Sequence, residues 1–137
     1  MADNSNVTLT GCNLTVVAAE GGAISGSVTI DNFNGLTAEA NCTLENVEQH
    51  IANGISGYSH YYGIGSDKAK VKIQNSIIEY AKGAHVQPNF EFDKKYGKAE
   101  PEGSPAIGGV EITIDNSTIK KADGGSKAAA IGAAYWN

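Results

Sequence analysis

The sequence predicts an all-β fold: a right-handed parallel β-helix, or β-solenoid, of about four coils. Three observations predict it. One is a recurring sequence motif (strand, Asn turn, strand, Gly turn, strand), which is called the phrase below. The others are alternation of apolar and polar residues within each strand and asparagine or glycine at the turns. The 137 residues are enough for one domain, residues 1–137, and too few for two. The chain also has 17 glycines, which favours short strands joined by tight turns.

The phrase is clearest in residues 106–125 and 64–83, and looser in residues 7–32. A seven-residue motif begins with Asn or Gly followed by Cys or Ser, has Leu or Ile at its fourth position and ends with Val or Ala. It occurs at Gly11, Asn41, Asn75 and Asn116, at separations of 30, 34 and 41 residues. Two of these intervals exceed the roughly 20 to 30 residues of most such repeats, so we expect insertions. The alignment of the second quarter is open, because either residues 28–30 or residues 36–38 could match residues 71–73.

The strands and corners of each coil follow from the residue types. In triplets such as Val71-Lys72-Ile73, the outer two side chains face inward and the middle one faces outward. Asn75, Asn116, Gly83 and Gly124 are predicted to mark corners with left-handed backbone, which these residue types enter at least cost. In stacked coils, Asn75 and Asn116 would align as a ladder of side-chain amides.

Residues 84–105 interrupt the phrase and are predicted to form a surface insertion. They contain all three prolines of the chain and a dense group of charged residues. A small hairpin is an option for residues 89–92, which include Phe90 and Phe92.

The two cysteines, Cys12 and Cys42, lie thirty positions apart without a CxxC motif. We expect two small buried residues stacked in neighbouring coils, with a disulfide as the alternative. The three histidines, His50, His60 and His85, share neither a repeat position nor the spacing of metal ligands. The sequence therefore predicts no metal site and no cofactor.

The charge and hydropathy of the chain argue against two classes of partner, nucleic acids and membranes. The net charge is −5 and the ten basic residues are all lysines, which argues against nucleic acid because its recognition depends on arginine and a basic face. No apolar run approaches the about 18 residues of a membrane span. The first residues lack the basic and apolar regions of a signal peptide, which fits either a cytosolic protein or a mature segment whose signal peptide has been removed.

The Ala-Ile-Gly-Gly start and the Ile-Thr-Ile-Asp-Asn-Ser step of residues 106–117 resemble the right-handed β-helix repeats of large bacterial surface proteins, distant relatives of the pectate-lyase-like superfamily. The resemblance covers residues 64–134 well and the first 60 residues loosely. It implies export, an extracellular or cell-surface location, and a place in a longer multidomain chain. It says little about function, because one fold supports many activities.

We expect a non-catalytic interaction module that binds a glycan or a host or cell-surface protein. Aromatic side chains in loops supply large contact area with a polar tip, although such a ring can instead cover the core at a corner. The candidate ligand-binding residues lie in a glycine-flanked loop and in the insertion: Tyr58, His60, Tyr61, Tyr62, Phe90, Phe92 and Tyr96.

A polysaccharide lyase or glycoside hydrolase is the alternative. Lyases of this fold use a basic proton acceptor beside calcium-bound acids, whereas this chain has no arginine and no cluster of aspartates. Asp31 and Asp115 precede corner positions, but Gln74 replaces the acid in another copy, which would break a calcium ladder. Hydrolysis by a carboxylate pair depends on a separation that the sequence does not define. We therefore predict that the chain is not an enzyme.

A third hypothesis concerns the ends. The first strand begins at Val7 and the phrase continues at residues 130–132, which leaves little room for the polar caps that solenoids need. We expect end-to-end stacking into a structural subunit, or a segment of a longer solenoid. Tyr135 and Trp136 would either fold over the last coil or insert into a neighbouring copy.

Overall fold

The structure is a computed structural model that describes residues 6–43, 61–85, 94–95, 103–125 and 128–132. Apart from helical backbone at residues 94–95, the regular elements of these residues are ten strands, so the described chain is all-β, as predicted. The strands are β1 Asn6–Val17, β2 Ser27–Glu39, β3 Ile64–Gly65, β4 Lys70–Gln74, β5 Ile77–Lys82, β6 Ile107–Gly108, β7 Glu111–Asp115, β8 Thr118–Ile119, β9 Ala122–Asp123 and β10 Ile131–Gly132.

Seven of the strands form a curled sheet, and all pairings between the ten strands are parallel. β1 pairs along β2, the first half of β2 pairs with β4, and β4 pairs with β7. The second half of β2 pairs with β5, which pairs with β8 and β9. A separate sheet joins β3, β6 and β10. Parallel neighbours require the chain to cross back to the same end of the sheet between pairings.

The register places equivalent residues of successive strands side by side. Val7 lies beside Val28, Val28 beside Val71, and Val71 beside Ile112, in steps of 21, 43 and 41 residues. Residues 28–30, rather than residues 36–38, therefore match residues 71–73. The unequal steps arise because residues 44–60 and 86–102 fall within the two longer ones.

The predicted equivalence of Asn41 with Asn75 and Asn116 is wrong. Asp31 lies beside Gln74, which makes Asn32 the equivalent of Asn75, whereas Asn41 forms an isolated antiparallel bridge with Gly21. The motif passed over Asn32 because the next residue there is a phenylalanine rather than a serine or cysteine. The backbone conformation of the asparagine, and not the residue after it, defines the corner.

Asparagines occupy the corners with left-handed backbone. Asn13, Asn32, Asn75 and Asn116 have φ angles of 56°, 53°, 51° and 49°, a region in which Asn is several-fold enriched among residues other than glycine. The Nδ2 of Asn116 donates to the Oδ1 of Asn75 at 2.7 Å. The Nδ2 of Asn75 lies 3.5 Å from a carboxylate oxygen of Asp31, which extends the row of side chains to a third strand.

Serine hydroxyls satisfy backbone groups at the same corners. The Oγ of Ser76 accepts from the N–H of Phe33 at 3.0 Å, and the Oγ of Ser117 accepts from the N–H of Ser76 at 3.1 Å. Each hydroxyl also donates to the carbonyl oxygen two residues earlier, that of Gln74 or Asp115. The hydroxyls thus replace ladder hydrogen bonds where the strands are interrupted.

Gly83 and Gly124 are not the left-handed corners that the sequence analysis expects. Neither has a positive φ. A Cβ at Gly83 would collide with the carbonyl oxygen of Ser104, and one at Gly124 with that of Ala129. Glycine occurs at both positions because neighbouring backbone passes too close for a side chain.

The inward side chains form one apolar core between the strands. Ile30, Leu36, Ile73, Ile78 and Ile107 are fully buried within it. They alternate with outward polar residues along the longer strands, because successive side chains of a strand point to opposite faces. Branched aliphatic residues suit these positions because they pack well on a pleated surface.

The predicted insertion at residues 84–105 is too long at both ends. Ala84 and Ser104 are fully buried. The N–H of Ala84 donates to the carbonyl of Tyr61, the N–H of Ser104 to that of Ala84, and the N–H of Gly125 to that of Ser104. These backbone hydrogen bonds tie both ends of the segment into the body of the molecule.

Two equivalent isoleucines test the position of the core. Ile73 and Ile114 lie side by side on β4 and β7, but Ile73 is fully buried while Ile114 is 37% exposed. We expect Ile73→Ala to lower the free energy of unfolding by about 3 kcal/mol, since it leaves a buried cavity. Ile114→Ala should cost about half as much or less, because less apolar surface is lost from the core. Urea unfolding followed by circular dichroism measures both, and equal losses would contradict this placement.

Candidate binding groove

An open groove crosses the outer face of the larger sheet where β1, β2, β4 and β7 begin. Its volume is about 320 Å³, at the lower end of the range for ligand sites. Because these four strands are adjacent and parallel, the groove runs across them rather than along any one. The described residues that line it are Asn6, Val7, Thr8, Ser27, Val28, Thr29, Lys70, Val71, Lys72, Glu111 and Thr113.

The floor of the groove carries one outward polar side chain from each strand. Thr8 lies beside Thr29, Thr29 beside Lys72, and Lys72 beside Thr113. Each is the middle residue of a triplet whose two apolar neighbours face the core, so the alternation of the strand directs it outward. Adjacent members of this row are separated by one strand spacing, about 4.8 Å.

The first residues of the strands form one side of the groove. The Oγ of Ser27 accepts from the backbone N–H of Lys70 at 3.0 Å. The Nζ of Lys70 lies 3.9 Å from an oxygen of Glu111, and both side chains are largely exposed. An exposed ion pair at this distance is weak, so both groups can exchange this contact for one with a ligand.

Lysines give the groove a different charge from the chain as a whole. Lys72 is exposed and makes no hydrogen bond or ion pair with any residue that the structure describes. Lys70, Lys72 and Glu111 give the described lining a charge of +1 at neutral pH, against −5 for the chain. The groove therefore presents hydroxyl groups together with a locally positive charge.

Tyr62, predicted as a ligand-binding residue, belongs to the core. Its side chain is fully buried, and its hydroxyl donates to the Oδ1 of Asp67 at 2.7 Å. The ring packs against Gly108, where a Cβ would collide with it. The prediction is wrong for this residue because the missing side chain at Gly108 leaves room for the ring inside the molecule. The alternative interpretation, an aromatic ring that covers the core, is correct here.

Of the other predicted ligand-binding residues, Tyr61 is the one that the structure describes. Tyr61 is partly exposed, is not among the lining residues, and donates its backbone N–H to the Oγ of Ser104 at 2.9 Å. Five lie outside the described residues, and their roles stay predictions: Tyr58, His60, Phe90, Phe92 and Tyr96.

The sequence predicts that Cys12 and Cys42 are stacked at equivalent positions, and this prediction is wrong. Cys12 lies beside Asn34 and is exposed, whereas Cys42 is buried. Both thiols are free, so the disulfide alternative is also wrong. The reason is the register: residues that pair here between β1 and β2 are 22 positions apart, not thirty.

The environment of Cys42 suppresses ionisation of its thiol. Burial raises its pKa to about 12, and the hydrogen bond and negative charge of Glu20 act in the same direction. The thiol is therefore fully protonated at neutral pH. A protonated buried thiol is a poor nucleophile, which indicates a packing role for Cys42.

Tyr80 on β5 is an outward aromatic residue that the sequence analysis missed. Its hydroxyl donates to the Oδ2 of Asp123 at 2.8 Å, and the Nζ of Lys121 lies 5.1 Å from the ring centroid. Its pKa is raised to about 12, and burial is the largest cause. The hydrogen bond and negative charge of Asp123 and the negative charge of Glu39 act in the same direction. The available signal was an aromatic residue inside a strand pattern rather than in a loop. These contacts join neighbouring strands, and the ring face is already occupied by an ammonium group.

The described residues contain neither a metal-binding cluster nor a membrane-spanning helix. No group of three or more His, Cys, Asp or Glu side chains in them is arranged to hold a metal ion. Nor do they include a helix with the length and apolar character needed to cross a membrane.

No protein-family model, curated protein or solved structure matches the chain. The class that the fold and the groove define is an all-β protein with a curled parallel sheet and a polar groove across its outer face.

The cysteine environments predict two different reactivities. With a disulfide-exchange reagent such as DTNB at pH 8, we expect Cys12 to react quickly and Cys42 to react about a hundredfold or more slowly, because of burial and its raised pKa. Cys12→Ser should remove the fast phase and Cys42→Ser the slow one. Denatured protein, with both thiols accessible, is the control. Rapid labelling of folded Cys12→Ser protein would contradict the placement of Cys42.

Proposed function

We propose that the chain is a β-solenoid binding module that holds an extended glycan in the groove without catalysis. The observation that carries the proposal is the row of polar side chains, Thr8, Thr29, Lys72 and Thr113, at one register across four parallel strands. A scaffold of parallel strands in register presents one such group from each strand, about 4.8 Å apart, to an extended ligand.

Three sets of inward residues support a solenoid of about four coils. The chain passes through the three sets in the same order four times, and parallel pairings join the members of each set. The right-handed sense is the one that crossovers between parallel strands adopt in nearly all proteins. The sets are Val7, Val28, Val71, Ile112; Leu14, Leu36, Ile78, Ile119; and Ile24, Ile64, Ile107, Ile131.

The chemistry of the lining favours a glycan. Threonine and serine hydroxyls both donate and accept hydrogen bonds, and lysine ammonium groups donate to sugar oxygens. Groups carried on paired strands are already ordered, so binding costs less conformational entropy than it would on a free loop. The exposed ammonium of Lys72, which has no partner among the described residues, lies in the middle of the row and is the strongest single donor in it.

The lining favours binding over hydrolysis in this groove. A glycoside hydrolase of the usual kind needs two carboxyl groups on opposite sides of the scissile bond. Among the described residues that line the groove, Glu111 alone supplies a carboxylate, and it lies 3.9 Å from the Nζ of Lys70. A surface or extracellular location is part of the proposal, and it rests on the resemblance of the repeat phrase to exported bacterial proteins.

A glycan array with the purified chain, followed by titration of the best ligand, tests this function. We expect Thr29→Ala combined with Lys72→Ala to raise Kd by about tenfold or more, because a neutral and a charge-assisted hydrogen bond are lost. Lys120→Ala is the matched control, since Lys120 pairs with Glu79 on a different part of the sheet.

Three results would contradict the proposal. One is unchanged affinity of the double variant, with circular dichroism showing that it is folded. Another is release of cleaved saccharide from the bound polymer, which would make the chain an enzyme. The third is binding to a surface protein but to no glycan, which would leave the chain a binding module with a protein as its ligand.

A further inference from the structure

The last strands expose apolar side chains at positions that are buried elsewhere. Ile114 on β7 is the equivalent of the fully buried Ile73, and Ile131 on β10, 41% exposed, is the equivalent of the fully buried Ile107. Val110, immediately before β7, is 66% exposed. This end of the sheet is therefore a cross-section through the apolar core.

The first strand, β1, likewise leaves apolar side chains partly exposed at the opposite edge of the sheet. Leu14 on β1 is 37% exposed, although its partner Leu36 on β2 is fully buried. Leu9 and Val16 of β1 pack against the core from one side and stay only partly buried. Within the described residues, β1 has a strand partner on one side only, which is β2.

β1 lacks the features that keep edge strands from pairing. It is twelve residues long and contains no charged residue and no proline. Edge strands of monomeric proteins are usually short, or carry lysine or proline that blocks a further strand. An edge of this kind is a template for another parallel strand.

The register identifies a second copy of this chain as the partner. Val7 and Ile112 are the outermost members of one unbroken row, and Leu9 and Ile114 occupy the next inward positions of the same strands. A copy displaced across the sheet by four strands would place its Val7 beside Ile112 with the same direction and register. That contact repeats a pairing that the molecule already makes three times.

We propose that copies of this chain associate head to tail, with β7 and β8 of one copy pairing in parallel with β1 of the next. The two contacting surfaces differ, so the contact does not close on itself and gives an open-ended series of oligomers. The groove crosses β1 and β7, so it would continue from copy to copy. This last consequence rests on the proposed function, whereas the association does not.

Sedimentation velocity across a concentration series, in buffer without glycan, tests the association. We expect the mean mass of the wild-type chain to rise with concentration without a plateau. Leu9→Lys and Ile114→Lys should each remain small, because each places a charge in one of the two end surfaces. Gln74→Lys is the matched control and should associate like the wild type, because Gln74 lies on β4, which already has a strand partner on both sides.

Mixing the two variants separates a blocked surface from a misfolded chain. Leu9→Lys keeps an intact β7 end and Ile114→Lys keeps an intact β1 end, so an equimolar mixture should form a complex of one copy of each. A monomeric wild-type chain at all concentrations, a plateau at the dimer, or a mixture without complex would each overturn the proposal. Glycan binding by a strictly monomeric chain would leave the proposed function standing while removing the association.

Discussion

The in-register parallel pairing of β1, β2, β4 and β7 is the constraint on which the rest of the structure depends. It brings Ile30 beside Ile73 inside the molecule and Thr29 beside Lys72 outside it. The core and the groove are thus two faces of the same backbone hydrogen bonds. A shift of one residue would exchange the inward and outward sets, which would bury the polar row and expose the aliphatic one. Burial of the isoleucines therefore also sets the position of the candidate binding groups.

Much of the local structure could be predicted from the sequence, and the long-range alignment could not. Alternation in triplets such as Val71-Lys72-Ile73 indicated strands with one buried face, and asparagine indicated corners because few other residues enter left-handed backbone. The register was hidden because the successive steps differ in length and because Phe33 follows the corner Asn32. The close backbone contacts at Gly83 depend on residues far away in the sequence, so its glycine was explained incorrectly.

The candidate site was harder to predict than the fold because its residues are ordinary when taken one at a time. Thr29 and Lys72 become a site only when the register places them side by side. Aromatic residues in a glycine-rich loop attracted attention instead, but Tyr62 is buried in the space that Gly108 leaves. A more useful signal was the middle residue of each strand triplet, compared from one strand to the next. That comparison requires the alignment that the sequence alone left open.

The most direct test of the account is an NMR measurement of cross-strand contacts in the isotope-labelled chain. The account predicts nuclear Overhauser effects in a parallel pattern between the backbone protons of Ile30 and Ile73, and between those of Ile73 and Ile114. It also predicts them between Thr29 and Lys72, on the outer face of the same strands. An antiparallel pattern, or contacts shifted by one residue along β4, would contradict the register and with it both the core and the groove.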